Sequence, residues 1–267
     1  MTLYRVYLPA LGKCLAIAVF VLGLAACTSM KESEMPENWS AERLYKEGKE
    51  ALDHEDYRSA IDLLEKLETR FPFGELTQQG MLMTAFAYYK NSDPQSAVAT
   101  ADRFIKLYPT HPDADYAYYL RGLADFHTRD AFMDNLFSVD PSTRDPGSVL
   151  RSYQYFAELI KRFPNSKYAK DARQRMVFLS NSLAHHELHV AEYYMRRGAY
   201  AAAASRAKYV LETYPSTPAI ADALAMLIRA YHKLGIDDLA QDSLRVLEKN
   251  YPKYRDIKEL RKLTTNT

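Results

Sequence analysis

An all-α body built as a solenoid of five helix pairs is what this chain of 267 residues predicts, on three observations. An aromatic–proline pair recurs at Phe71-Pro72, Tyr108-Pro109, Phe163-Pro164, Tyr214-Pro215 and Tyr251-Pro252. Small residues fall at fixed distances before several of these prolines. No run of alternating β-branched residues appears, so no sheet is expected. Each aromatic–proline pair closes a segment of similar character, LLEKLETRFP in the first and LRVLEKNYP in the last. Proline cannot continue a helix and pushes its predecessor out of the α region, so each pair is a physical stop.

Counting back from each proline gives one register, similar to that of the tetratricopeptide (TPR) repeat, a helix–turn–helix unit of about 34 residues. In that unit small residues at two positions let the antiparallel helices approach closely. Gly48 and Ala60 take them in the first unit, Ala85 and Ala97 in the second, Ala191 and Ala203 in the fourth, and Ala240 takes the second of them in the fifth. The third fits only with an insertion between its helices, which puts Gly122 and Phe156 in register. The resemblance implies a right-handed superhelix with a concave face suited to binding peptides or other domains.

The elements follow in chain order. Residues 1–26 carry Arg5 and Lys13, no acid, and an apolar core from Leu15 to Leu24, which describes a secretory signal peptide. Leu24-Ala25-Ala26-Cys27 resembles a bacterial lipobox, which implies cleavage before a lipid-modified Cys27. Thr28 follows, where an Asp would imply inner-membrane retention, so the expected location is the outer membrane, facing the periplasm. Residues 27–39 read as a polar tether, 40–164 as three N-terminal repeats, and 165–267 as two C-terminal repeats with a tail. Helices are expected at 40–53, 57–70, 75–90, 94–107, 113–129, 146–162, 167–197 (long enough to hold a break), 200–213, 218–234 and 237–250, with a short one at 254–263. Asp93-Pro94, Asp145-Pro146 and Thr217-Pro218 read as N-caps followed by proline at the first helical position. Gly235 reads as a C-terminal stop. Segment 130–145, which mixes Phe132, Met133, Leu136 and Phe137 with turn residues, is expected to fold back on the N-terminal concave face.

Composition excludes several functions. The net charge is +1, and losing Arg5 and Lys13 keeps it near neutral, so no nucleic-acid partner is expected. Cys14 leaves with the signal peptide and Cys27 carries lipid, so the body must stand on burial without disulfides. No phosphate loop or nucleophile elbow appears, and no enzyme activity or cofactor is expected. His185-His186-Glu187-Leu188-His189 puts two histidines one helical turn apart, but it is not a zinc-protease motif. It reads as a solvated helix face, with no metal site. Tyrosine is abundant at 21 residues, and many lie at packing positions. Adjacent aromatics on a helix point about 100° apart, so Tyr88-Tyr89 and Tyr118-Tyr119 cannot all face one core. Some of the aromatics crowding the first three units (Phe73, Tyr88, Tyr89, Tyr116 and Tyr119) should line a binding face, where tyrosine is favoured.

Several stretches are specific beyond a generic repeat. They are RFPFGELTQQ at 70–79, AYYKNSDPQSA at 87–97, DRFIKLYPTHP at 102–112, LRG at 120–122, LFSVDPSTRDP at 136–146, AEYYMRRGAY at 191–200 and YPST at 214–217. With the lipobox and the repeats, they resemble the BamD (ComL) family of lipoproteins. The resemblance implies membership of the machinery that folds and inserts outer-membrane β-barrels. The C-terminal repeats would contact a POTRA domain of BamA and a small accessory lipoprotein. The N-terminal aromatic residues would receive the C-terminal signal of unfolded barrel proteins. Arg197, in the Arg-Gly-Ala-Tyr corner ending at Tyr200, matches a position linked to the BamA contact, and Arg196 beside it leaves open which arginine carries the role. The name ComL records an indirect association with competence. Rival readings are a periplasmic TPR scaffold for cell-wall or envelope-stability proteins and an envelope hydrolase.

Overall fold

The computed structural model describes residues 39–126 and 146–265, and within it the body from residue 41 onward forms one compact unit. Cys27, the tether up to residue 38, segment 130–145 and the proposed cap Asp145 lie outside the described residues. The body is helical: α1 (Ala41–Asp53), α2 (Tyr57–Arg70), α3 (Glu75–Lys90), α4 (Pro94–Leu107), α5 (Ala114–Asp125), α6 (Pro146–Arg162), α7 (Ala169–Arg196), α8 (Tyr200–Thr213), α9 (Ile220–Leu234), α10 (Asp237–Asn250) and α11 (Ile257–Thr265). Each helix packs on the next, and first helices of successive pairs also touch, as α1 does α3, α3 does α5, and α7 does α9. This is an all-α solenoid of helix pairs. Among the described residues no helix is long and apolar enough to cross a membrane.

The repeat register is visible in the packing. Ala60, Ala97, Ala203 and Ala240 are all essentially inaccessible, as are Leu67, Phe104, Leu159, Val210 and Leu247 one helical stretch later. A β-carbon on Gly48 would come 2.8 Å from Leu64 Cδ2, and one on Gly122 would come 2.4 Å from the Phe156 ring. Those glycines are therefore required by close helix approach, as real β-carbons do not sit so near.

Two recurrent turns connect the helices. Glu55, Ser92, Gly198 and Gly235 occupy the same register position, and all four have a positive φ between 60° and 75°. In the first two units a side chain bears the strain that glycine avoids in the last two. Asp56 and Asp93 then cap the following helices, accepting hydrogen bonds from the backbone N–H of Ser59 (3.2 Å) and Ser96 (3.1 Å). At the other end, Phe71, Tyr108, Tyr214 and Tyr251 each leave the α region, and each still donates its N–H to the carbonyl four residues back.

One expectation changes. Thr217-Pro218 is not an N-cap pair: α9 starts at Ile220, and Ala219 stands before it. Thr217 instead donates both its N–H (3.2 Å) and its Oγ1 hydroxyl (2.9 Å) to the Tyr214 carbonyl. The same backbone turn follows Tyr108, Phe163 and Tyr251. This turn takes up the residues after the proline, so α5, α7, α9 and α11 begin one to three residues later than the sequence pattern suggests. The long helix expected at 167–197 is α7, which runs unbroken for 28 residues.

Candidate functional site

The adjacent tyrosines do diverge. Tyr118 is buried, its ring 5.4 Å from Phe163 and under the guanidinium of Arg121 at 4.9 Å. Tyr119, one residue on, turns to α7 and stacks on Tyr168 at 4.7 Å with planes only 15° apart. Tyr116, one turn earlier on α5, meets the same Tyr168 ring at 5.3 Å. Tyr89 of α3 lies near enough to act electrostatically on Tyr116, and it packs beside Phe86 at 6.4 Å. These half-buried rings form a tyrosine patch across α3, α5 and the start of α7.

Polar groups hold the patch in place. Tyr119 donates its hydroxyl to Asp171 Oδ2 at 2.5 Å, and Arg175 Nε donates to the same oxygen at 2.5 Å. Arg175 also lies 4.7 Å over Phe126. Burial, reinforced by the bond to Asp171, pushes the Tyr119 hydroxyl up to about 12. Burial and the neighbouring tyrosines push Tyr116 higher still. Both phenols therefore stay protonated and can donate a hydrogen bond. Burial works to raise Asp171, but the bonds from Arg175 and Tyr119 outweigh it and hold the carboxyl below its ordinary range.

The other expected aromatics stand apart from the patch. Tyr88 turns to α2 and donates to Glu65 Oε1 at 2.5 Å. Phe73, in the turn between α2 and α3, is 90% exposed. Sequence reasoning missed Tyr168, because it precedes α7 and lies far from the tyrosine-rich runs.

It also missed Arg121. This buried cation donates to Asp102 Oδ1 of α4 at 2.6 Å and Glu158 Oε2 of α6 at 2.5 Å. Its guanidinium lies over the Tyr118 and Tyr155 rings at 4.9 and 4.5 Å. The available signal was a lone cation inside the apolar run YAYYLRGLA. It ties α5, which carries two of the patch tyrosines, to α4 and α6, and does not touch the patch itself.

At the α7–α8 corner, Arg196 ends α7, Arg197 follows, Gly198 turns the chain with φ 75°, and Tyr200 starts α8. Both arginines are exposed and Tyr200 is half-buried. Arg197 Nε donates to the Tyr193 hydroxyl at 3.2 Å, with the guanidinium over that ring at 5.6 Å. Arg197 is thus braced against its own helix.

A polar cavity of about 180 Å3 opens beside the second half of α7. His185, His189 and Glu192 line it from α7, Asp222 and Arg229 from α9, and Tyr254 and Arg255 from the turn before α11. Tyr254 donates to Asp222 at 2.7 Å and Arg229 to Asp256 at 2.8 Å. Among the described residues no cluster of three or more His, Cys, Asp or Glu is arranged to hold a metal ion.

Comparison with known proteins gives these arrangements a family. Residues 37–247 match the family model described as YfiO, outer membrane lipoprotein. The outer membrane protein assembly factor BamD of Neisseria meningitidis serogroup A is 47% identical over 236 residues, covering 87% of this chain and 88% of that protein. The factor of the same name from Vibrio cholerae is 39% identical, covering 78% of this chain and 86% of its own. Among solved structures, the chain is similar to a thermophilic TPR protein of Thermus thermophilus at 13% identity and a TM-score of 0.35, covering 84% of this chain and 98% of that one. Identity of this extent to BamD proteins, together with the family match along most of the body, places the chain in the BamD family of outer-membrane lipoproteins.

Proposed function

We propose that this chain is a non-enzymatic, lipid-anchored subunit of the β-barrel assembly machinery, facing the periplasm from the outer membrane. Signal peptidase removes residues 1–26, Cys27 takes the lipid, and 27–39 tethers the body. Residues 40–164 form three repeats and 165–267 two more with a tail, giving five helix pairs in a right-handed TPR superhelix. The tyrosine patch around Tyr116 and Tyr119, with Tyr89 beside it, receives the aromatic C-terminal signal of unfolded barrel proteins. Phe73 and Tyr88 border that face. The α7–α8 corner, with Arg197, Arg196 and Tyr200, meets a POTRA domain of BamA, and an accessory lipoprotein shares the C-terminal half. Among the two arginines, the brace from Tyr193 favours Arg197 as the pre-ordered contact.

One observation carries this reading. The family match runs from residue 37 to 247, so it includes both the patch and the corner. Capture of the lipidated protein from gently solubilised membranes, followed by mass spectrometry, tests it. Near-stoichiometric recovery of the barrel subunit is the expected result. Recovery only of cell-wall enzymes would overturn it in favour of an envelope scaffold.

A further inference from the structure

Positive charge gathers at the last corner of the body, formed by the end of α10, the turn after it and α11. From Arg245 to Lys262 seven lysines and arginines stand against three acids, a net +4 in a chain whose total is +1. Part of that charge is committed. Arg261 donates to Glu248 at 2.8 Å, Arg245 pairs with Asp242, and Asp256 accepts from Arg229 at 2.8 Å. Lys249, Lys253, Lys258 and Lys262 are all exposed, and none makes an ion pair among the described residues. On α11 the buried side holds Leu260 and Thr264, with Ile257 and Leu263 half-buried beside them. Lys258, Arg261 and Lys262 fall within about 100° of circumference on the opposite side. Glu259, the one acid of this segment without an ion pair among the described residues, lies about 100° round the helix from Lys258. The bond from Arg261 to Glu248 holds α11 next to the end of α10, where Lys249 stands.

Folding does not ask for this arrangement. Lys258 and Lys262 are one turn apart on a helix of nine residues, where like charges repel. Lys258 also lies in the first turn, where positive charge opposes the helix dipole. The last helix of a solenoid needs a polar outer face, and charges of mixed sign would serve. A face of one sign, at a cost to its own helix, calls for a negative surface outside the chain. The membrane supplies one. The chain belongs to a family of outer-membrane lipoproteins, so phospholipid headgroups are always close. Residues 27–39 of the tether reach at most about 45 Å when fully extended. A charged lipid surface attracts clustered lysines without any shaped pocket, and it does so only within a Debye length.

We infer that this corner rests on anionic phospholipid headgroups, a second membrane contact that holds the C-terminal end of the body against the bilayer while the lipid anchor holds the other. The contact is independent of what the tyrosine patch and the α7–α8 corner bind.

Vesicle co-sedimentation of the whole mature chain tests it, with Cys27→Ser so that no acyl chain contributes. Vesicles of phosphatidylethanolamine and phosphatidylglycerol should bind about tenfold more tightly than vesicles with phosphatidylcholine in place of phosphatidylglycerol. Salt at about 0.5 M should erase the difference. Lys258→Gln with Lys262→Gln should weaken binding to the anionic vesicles about tenfold, and Lys258→Arg with Lys262→Arg should preserve it. Both lysines are exposed, so neither variant should melt below the parent. Lys49→Gln with Lys170→Gln makes the same charge change at exposed positions of α1 and α7 and should leave binding unchanged. Equal binding to both kinds of vesicle overturns the inference, as does equal loss in the α1 and α7 variant, which would reduce the effect to net charge. A lysine pair that matters only for recovering an acidic protein from solubilised membranes also overturns it and makes the corner a protein interface.

Discussion

Between α1 and α2 the chain reverses through His54, Glu55 and Asp56, whereas between α5 and α6 it passes from Phe126 to Asp145 before the next helix begins. The first pair is aligned by its turn: a left-handed residue, then an aspartate cap. The same left-handed position recurs in α3–α4, α7–α8 and α9–α10. In α5–α6 alignment comes from side chains and one close approach. Arg121 joins α5 to carboxylates on α4 and α6, Phe156 sits against Gly122, Ser152 Oγ donates to the Gly122 carbonyl at 2.9 Å, and Arg151 pairs with Asp125 at 3.0 Å. A pair of helices joined by a long segment can thus be held in register by specific contacts between the helices themselves. That matters because Tyr116 and Tyr119 of the patch are carried on α5.

Removing the clamp should give the largest effect. Arg121→Met is expected to destabilise the chain by about 3 kcal/mol in urea unfolding, near the low end for a broken buried ion pair because Asp102 and Glu158 remain partly in water. Loss of under about 0.5 kcal/mol, the ordinary surface range, would mean the clamp is dispensable. Gly122→Ala comes next, at about 2 kcal/mol, since the new methyl must displace the Phe156 ring. A matching change at Gly235, where φ is 69° and a β-carbon would meet open space, tests the turn-aligned side of the contrast. Gly235→Ala should cost about 1 kcal/mol through backbone strain alone. The reverse change, Ser92→Gly, should stabilise by about 0.5 kcal/mol, measurable as a higher urea midpoint. If it destabilises instead, the left-handed position is not strained as described.

The bond that Tyr119 donates to Asp171 links the clamped pair to α7 and adds a pH signature. A carboxyl held below its ordinary value stabilises the fold above its unfolded pKa, about 3.9, and loses that contribution as pH falls through the lowered folded value. Asp171→Asn should therefore be less stable than the parent at neutral pH, with the gap closing below about pH 4. A gap independent of pH would show that the ionised carboxylate is not what matters.

Much of this was legible in the sequence because it is written in local chemistry. Aromatic–proline stops, Asp93-Pro94 and Gly235 act through their own backbone, and Gly122 with Phe156 could be set in register by counting. Thr217-Pro218 misled because a hydroxyl beside a proline suits either a cap or a turn, and the Tyr214 carbonyl decides between them. The patch was half legible. Its α5 tyrosines were visible as a surplus, and the divergence of adjacent rings follows from helix geometry. Tyr168 and Arg175 joined them only through packing between distant segments, which no spacing encodes. Arg121 was hidden for the same reason, its partners lying 19 and 37 residues away.

α7 has a further consequence. Its stretch from Ala172 to Leu188 contributes Ala172, Leu179, Leu183 and Leu188 to the core shared with α5 and α6, and its last turns contribute Ala191 to the core shared with α8 and α9. A load applied to one end of the body therefore travels through a single stiff member into the other. The two ends behave as one beam and not as two beads on a string, and heat should melt them in one calorimetric step.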